Sequence, residues 1–494
     1  MRLANLIVVL APILCSESWG QQDPTPPPPE NGGTVTDPAP PAPDTSTEKP
    51  PPADPPKDAA PKAKSETTSD KGLAEDLLGF PVHGRLTIKY RARWDNTDED
   101  QDFYEYLSAD IGSSLKHTVT AHLYLRGTQD IDGNHAKRSG YVYDSITDTF
   151  DNAWNGRIYY AWLELHRLGP IESARLGRQI LNETPNVFHM DGLRIDSKPW
   201  KAVLSLQAGV YAGIPVHMYE SSPSGDWVLG AWAQIRPWDG GRLRADFTAI
   251  RDDYRNHVER DSLWAVSAWQ EIAQLVTLSG SYTMLDSDSR DYQVRADLYS
   301  ADWDLRVDAS WYQLLKRQER ESLDLDQLVS VVWEYLPYMQ GRLALAKGLG
   351  DHVVIQAGAE IREGRDVHRD EKFNRSFRRF FLTPAINDWP IEGLSVSATF
   401  EYWEVPHTQN GDTRSVGGDL TYRIMKGLKA SIGTSFALYK YDQLTEIERE
   451  HVQTWYARVS LSPWKPLKFD LSYELEDDDR DTFHTIKVAV SFSF

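Results

Sequence analysis

The sequence is poor in cysteine and in long apolar runs. Its 494 residues include a single cysteine, Cys15, so no disulfide can form within one chain. The longest stretch without a charged residue, 202–219, contains Pro215 and several small or polar residues. It would make a poor spanning helix and fits better as a strand with two alternating faces.

Motifs of enzymes and metal proteins are also missing. No glycine-rich phosphate loop, no cysteine–histidine cluster and no nucleophile paired with one of the 13 His stands out. The acidic stretch 95–105 lacks the glycine that an EF-hand calcium loop requires. We therefore predict no catalytic residue, no metal site, no cofactor and no enzymatic activity.

Basic residues are in the minority. Lysine and arginine number 53 against 73 aspartates and glutamates, which gives a formal charge of −20. Proteins that bind nucleic acid need a basic face, so this balance argues against a nucleic-acid partner.

The first 82 residues divide into three segments. Residues 1–20 have the pattern of a secretory signal peptide, with Arg2, an apolar run and a small-x-small site at 18–20. An acylated lipoprotein Cys15 is the alternative, although small residues do not precede it. Residues 21–72, rich in proline, predict a disordered arm that serves as a spacer or contacts the cell wall. Residues 73–82 form a short boundary segment.

From His83 to Phe494 the chain alternates with period two. The stretch 85–94, "RLTIKYRARW", puts apolar residues on one face and Arg, Thr and Lys on the other. About 22 such segments follow one another, and helical periodicity is nearly missing. No helix is predicted to cover the apolar faces, which favours a membrane barrel over a soluble sandwich. We predict an all-β fold: a transmembrane antiparallel β-barrel of about 18–22 strands over residues 83–494, preceded by the disordered arm.

The connections between these segments come in two alternating lengths. Short turns such as 239–241 and 425–427 alternate with long acidic loops such as 95–102 and 128–155. Tryptophan stands beside proline in four short connections, within 197–201, 236–241, 387–393 and 462–466. Short turns on one side, long loops on the other and interfacial tryptophan are typical of bacterial outer-membrane barrels.

The chain ends on an alternating strand, with Phe492 and Phe494 on its apolar face. Because lipid tolerates no unpaired backbone, we expect this strand to close the barrel against residues 85–94. Such an ending resembles the signal by which bacterial outer-membrane proteins are recognised for insertion. It predicts the outer membrane of a Gram-negative bacterium, with outer-membrane lipid, lipopolysaccharide and the barrel-assembly machinery as partners.

Basic residues recur on the faces predicted to line a wet lumen of mixed charge. The candidates are Arg85, Lys89, Arg91, Arg93, Arg175, Arg178, Arg194, Arg242, Arg244, Arg295, Arg306, Arg423 and Arg458. A net basic constriction would favour anionic solutes. The alternative is that these residues pair with acidic residues of neighbouring strands and only stiffen the wall.

One block resembles a known family. The sequence "RLGRQILNETPNVFHMDGLRID", residues 175–196, is similar to the Gly-Arg-Gln strand, loop and Asp-Gly-Leu-Arg return of the alginate-export family of outer-membrane porins. The matching positions are Gly177, Arg178, Gln179, Asp191, Gly192, Leu193 and Arg194. The resemblance implies a β-barrel channel for an anionic solute, of which an exported polysaccharide is one case. It also implies that Arg178 and Arg194 face the path of that solute.

Two other functions compete with a channel. A barrel enzyme needs a nucleophile or an acid–base set near the rim, which the sequence does not offer. A non-conducting sheath or scaffold for a partner, such as an electron-transfer conduit, would need no such set. Ion conductance separates a channel from a sheath.

Overall fold

The computed structural model describes residues 80–96, 99–132, 154–181, 187–216, 225–254, 257–319, 334–365, 376–405, 412–441, 448–478 and 481–494. The predicted signal peptide, the arm and most of the boundary segment lie outside the described residues.

All regular structure within these ranges is β-strand. The first half of the chain contains β1 (Val82–Trp94), β2 (Glu99–Ile111), β3 (Val119–Asp130), β4 (Asn155–His166), β5 (Ile171–Leu181), β6 (Phe188–Ser197), β7 (Gln207–Pro215), β8 (Trp227–Ile235), β9 (Gly241–Tyr254), β10 (His257–Ile272), β11 (Val276–Leu285) and β12 (Asp288–Ser300). The second half contains β13 (Leu305–Leu314), β14 (Gln318–Glu319), β15 (Glu334–Tyr335), β16 (Tyr338–Leu349), β17 (Val353–Gly364), β18 (Phe377–Asn387), β19 (Leu394–Glu404), β20 (Thr413–Met425), β21 (Leu428–Tyr441), β22 (Glu448–Trp464), β23 (Leu467–Asp477) and β24 (Thr482–Ser493).

Twenty-two of these strands form one closed antiparallel sheet. Each pairs with its neighbours along the chain, β13 pairs with β16, and β24 pairs with β1 from Arg85↔Ser493 to Trp94↔His484. The short strands β14 and β15 pair only with each other. The prediction of an all-β barrel closed by the last strand is confirmed, at the upper end of the expected strand number.

The two ends of the barrel differ. At one end, called here the turn end, the connections run from two residues (426–427) to nine (198–206). At the other, the loop end, they reach the length of 131–154. β1 begins and β24 ends at the turn end. There the amide N–H of Gly84 donates to the carbonyl of Phe494 at 2.9 Å, and the amide N–H of Phe494 donates to the carbonyl of Gly84 at 3.0 Å.

Two predicted boundaries are wrong. Residues 95–102 were expected to form a loop, but β2 begins at Glu99, and its acidic residues stand opposite the arginines of β1. In 202–219 the strand covers only Gln207–Pro215, because Leu204 and Ser205 have positive φ in a turn. No helix in the described part of the chain is long and apolar enough to cross a membrane.

The outer face of the barrel is apolar and exposed. Leu86, Ile88, Val488 and Phe492 lie on it with 38–45% of their surface accessible, and Leu86 stands opposite Phe492 across the seam. β-Branched and aromatic side chains suit both the pleated sheet and such a surface. Tryptophans of the four predicted turns lie exposed at the turn end, namely Trp200, Trp238, Trp389 and Trp464.

Candidate functional site

The inner face of the barrel carries most of the charged side chains. Directly paired residues of antiparallel strands share a face, so the register fixes the side on which each lies. Of the predicted cations, all but Arg178 lie on the inner face. Whether they also govern the passage of ions stays a prediction.

The first strand pairs its arginines with aspartates of β2. Arg91 stands opposite Asp102 and Arg93 opposite Asp100. The Nε atoms donate to these carboxylates at 2.9 and 2.7 Å, and Tyr104 donates its hydroxyl hydrogen to Asp102. All five side chains are buried, so this part of the wall is a closed network of paired charges.

Lys89 belongs to the same network. Its Nζ lies 5.2 Å from the centre of the Tyr104 ring, and the guanidinium of Arg91 lies 5.2 Å from the same ring. Lys89 is also buried. These three cations therefore contribute to the stiffness of the wall rather than to an open charged surface.

Further predicted cations are each held by a carboxylate. The pairs are Arg175–Glu164 at 3.1 Å, Arg194–Asp196 at 2.8 Å, Arg244–Asp246 at 2.7 Å, Arg295–Asp297 at 2.9 Å, Arg295–Asp308 at 2.7 Å and Arg458–Glu474 at 3.3 Å. For these residues the structure supports the alternative that charges pair across or along strands.

Four predicted cations form no salt bridge with any described residue. They are Arg85, Arg242, Arg306 and Arg423, and each lies within four residues of the turn end of its strand. The four strands are spread around the barrel. The turn end of the inner face therefore carries these four cations without a salt bridge, together with one carboxylate, Glu271, that also has none; at the loop end, Arg362 of β17 likewise forms no salt bridge with a described residue.

Lys429 adds a cation that the sequence analysis missed. It stands directly opposite Arg423 on the next strand, and it too has no salt bridge within the described ranges. Equal spacing from the two-residue turn 426–427 would place Ile424 opposite Lys429, but a register shift between Arg423 and Met425 brings Arg423 there instead, so the turn alone did not signal this pair.

Arg178 lies on the outer face, which corrects the sequence-based grouping of Arg175 with Arg178. The two residues are three positions apart, and a strand of period two sends such positions to opposite faces. Arg178 stands opposite Asp191, in the row next to Leu176 and Leu193, which are 61% and 42% exposed. Its Nε and Nη2 donate to the Asp191 carboxylate at 2.8 and 2.7 Å.

The inner face is not wet throughout, contrary to the prediction. Toward the loop end of β5 to β11 it carries a buried apolar cluster: Leu181, Phe188, Met190, Tyr211, Val228, Ile250, Leu263 and Leu285. On β5 and β6 the contrast between faces is sharp, since Met190 is 0% exposed while Leu176 on the outer face is 61% exposed. The contrast could not be read from the sequence because both faces of β5 and β6 mix apolar and charged residues.

Aromatic rings form a row on the inner face of β2 to β4, which the sequence analysis did not identify. Centroid distances are 6.3 Å for Tyr104–Tyr106, 6.4 Å for Tyr106–Tyr124, 5.5 Å for Tyr124–Tyr160 and 4.7 Å for Tyr160–Trp162. The rings contact one another, so their faces are largely occupied by protein. The alternation of tyrosine in "FYEYL" was the available signal.

The described residues contain no group of three or more histidine, cysteine, aspartate or glutamate side chains arranged to hold a metal ion. The inner face thus offers paired charges along the wall, an apolar cluster toward the loop end of β5 to β11, and five cations at the turn end without a salt bridge to a described residue.

Comparison with known proteins supports the fold. No protein-family model matches the chain, and no curated protein sequence matches it. Among solved structures, the copper transporter OprC has a TM-score of 0.51 at 12% identity, over 84% of this chain and 80% of that chain. The translocation pore of the P pilus usher PapC has a TM-score of 0.46 at 10% identity, over 83% and 99%. Pseudomonas aeruginosa OpdK, solved with vanillate, has a TM-score of 0.40 at 11% identity, over 84% and 98%. At such identities the likeness to OprC shows the shared barrel fold alone.

Proposed function

We propose that the chain is an outer-membrane channel for a hydrophilic, anionic solute, with the turn end in the periplasm and the loop end outside the cell. Short turns face the periplasm in barrels of this kind. The apolar outer face supports insertion in lipid.

The unpaired cations at the turn end carry this proposal. Arg85, Arg242, Arg306, Arg423 and Lys429 provide positive charge without a carboxylate partner among the described residues. Fixed charges at a pore mouth raise the local concentration of oppositely charged ions and set selectivity. Because most of the predicted cations further along the wall are paired, selectivity is assigned to the periplasmic mouth; Arg362 at the loop end, which stacks on Tyr338, is an exception.

An exported polysaccharide is one candidate solute, through the resemblance of residues 175–196 to the alginate-export family. Arg194 lies on the inner face as that resemblance implies, but Arg178 lies on the outer face. The outer position of Arg178 therefore weakens the support for a polysaccharide. The support for an anion at the mouth does not depend on residues 175–196.

A planar lipid bilayer with purified full-length protein tests the proposal. We expect stable conductance, a reversal potential in a KCl gradient that shows anion preference, and a current that differs between the two voltage signs. The asymmetry follows from placing the unpaired charge at one end. Cation preference with symmetric current would contradict the proposal.

A non-conducting sheath for a partner protein is the second candidate. The buried apolar cluster inside β5 to β11 favours it, because that cluster leaves less of the inner face to line an aqueous path. Lack of conductance in repeated reconstitutions of folded protein would support the sheath and reject the channel.

A further inference from the structure

A recess in the inner wall between β9 and β12 has the chemistry of a small-molecule site. Its volume is about 310 Å³. The recess is lined by Arg242, Ser267, Trp269, Ser279, Ser281 and Gln293. Small-molecule sites commonly measure about 300–1,000 Å³, so this recess is of a size for one ring rather than for a long chain.

The strand register explains why the wall is hollow there. Trp269 stands opposite Arg242 on one side and Ser279 on the other. Ser267 stands opposite Ser281 in the adjacent row. Serine side chains are too short to cover the indole ring from the β11 side, so the ring borders a gap over which a solute can lie.

Several polar groups of the recess have no protein partner. The hydroxyls of Ser267, Ser279 and Ser281 and the side-chain amide of Gln293 form no hydrogen bond with another described residue. Each is only partly exposed. A ligand with several hydroxyl groups would meet three hydroxyls and one amide within a single recess.

The recess also contains one available positive charge. Arg242 has its guanidinium carbon 5.5 Å from the centre of the Trp269 ring and forms no salt bridge within the described residues. The other cation of the lining, Arg295, is held by Asp297 and Asp308. The adjacent Arg244 is held by Asp246. An anionic group in the recess would therefore pair with Arg242.

We propose that this recess binds a single-ring organic acid with several hydroxyl groups, such as a sugar acid. Its ring packs on Trp269, its carboxylate pairs with Arg242, and its hydroxyls bond with the serines and Gln293. This inference rests on the proposed channel function, since it names the class of solute that the lumen receives. Binding must be weak enough for release if the solute is to pass.

Titration of the single-channel current with D-glucuronate tests the site, with D-glucose and benzoate as the neutral and the hydroxyl-free probes. We expect saturable current reduction by glucuronate, with both other probes at least about tenfold weaker, because each lacks a charge-assisted or multiple hydrogen bond. Calorimetric titration of the folded protein in detergent gives an independent affinity.

Four variants separate the contributions. Arg242→Gln should weaken glucuronate about tenfold and leave glucose unchanged. Trp269→Ala should weaken both sugars, and Ser279→Leu, which fills the recess without a change of charge, should abolish saturation. Arg423→Gln is the matched control: it removes one cation at the same end but outside the recess, so it should raise the half-saturating glucuronate concentration far less than Arg242→Gln does.

The outcomes distinguish this inference from the channel itself. A conducting wild type without saturable glucuronate binding would overturn the recess and leave the channel intact. A protein that binds glucuronate by calorimetry but does not conduct would support the recess and reject the channel. Equal affinity for benzoate, or wild-type affinity in both Arg242→Gln and Ser279→Leu, would also overturn the assignment.

Discussion

Arg178 on β5 and Asp191 on β6 lie opposite each other and form a bidentate salt bridge on the outer face of the barrel, with N–O distances of 2.8 and 2.7 Å. The Nη1 group of Arg178 also donates to the carbonyl of Ile158 at 3.0 Å. A charged pair on this otherwise apolar face is tolerated because each partner satisfies the other.

Replacement of one partner should therefore lower the free energy of unfolding more than replacement of both partners. Asp191→Leu leaves Arg178 unpaired on the outer face, where a lone arginine costs about 2–4 kcal/mol at mid-membrane and about 0–1 kcal/mol near the interface. We expect Asp191→Leu to lower the free energy of unfolding by a value between these limits, and Arg178→Leu/Asp191→Leu to restore most of it. Urea unfolding in lipid vesicles measures both, and a change in reversal potential in the double variant would contradict the outer placement.

The opposed cations Arg423 and Lys429 should set part of the ion selectivity. Like charges directly opposite on neighbouring strands repel each other, so Arg423→Gln/Lys429→Gln should not lower stability. The loss of two unpaired charges at the turn end should shift the reversal potential toward zero. The control is Arg91→Gln/Asp102→Asn, which removes a pair of zero net charge and should leave the reversal potential as in the wild type.

The buried pair Arg91–Asp102 should be costly to break. Asp102→Asn leaves Arg91 buried without its compensating charge, and removal of one partner of a buried pair costs about 3–5 kcal/mol. Arg91→Met/Asp102→Asn removes both charges, keeps an acceptor for Tyr104, and should lie closer to the wild type in the free energy of unfolding. If the single variant were as stable as the double variant, the pair would carry no stabilising role.

The pairing of β1 with β24 should depend on Gly84 for packing. Phe494 should matter for recognition of the chain during membrane insertion. A β-carbon at Gly84 would lie 2.5 Å from Cζ of the Phe494 ring, so Gly84→Val should reduce the folded fraction both in cells and in spontaneous folding into vesicles. Phe494→Ala removes the ring without a clash; if an assembly machinery reads this residue, as predicted from the sequence, the variant should reduce only insertion in cells. Heat-modifiable gel migration reports the folded fraction, and an equal loss in vesicles for Phe494→Ala would contradict the recognition role.

Asp132, just beyond β3 at the loop end, should make stability depend on pH. Its carboxylate accepts a hydrogen bond from the amide of Gln101 at 2.9 Å. Burial raises the pKa of this carboxyl from 3.8 to about 6, so the folded state favours the protonated form. The stabilisation is present below pH 3.8 and is lost as the pH rises through 6.

Asp132→Asn keeps an acceptor for Gln101 and cannot ionise. We expect its thermal midpoint to exceed that of the wild type at pH 8 and to equal it at pH 4. A difference between the two midpoints that does not change with pH would contradict the shifted pKa.

The barrel was predictable because alternation and turn length are local properties. Leu86 and Ile88 repeat on one face and Arg91 and Arg93 on the other, which requires no knowledge of the partner strand. The start of β2 was missed because its acidic residues are typical of loops when read alone. Only their position opposite Arg93 and Arg91 shows that they belong to the wall.

The candidate site was less predictable, because the state of each cation depends on register. Arg242 and Arg244 are equivalent in sequence, two positions apart on one face. Arg244 is held by Asp246 two positions along its own strand, which the sequence shows, whereas only the register shows that Arg242 has Trp269 opposite it. Similarly, the recess exists because short side chains from β10 and β11 coincide, and no single strand contains that information.

The pairing of β1 with β24, which closes the barrel, has a consequence for biosynthesis. Since residues 85–94 must pair with residues 484–493, the first strand has no final partner until the last dozen residues have been made. The wall therefore cannot be completed step by step behind the ribosome. That edge stays open until residues 484–493 have been made, and their loss would leave a gap through the full height of the wall.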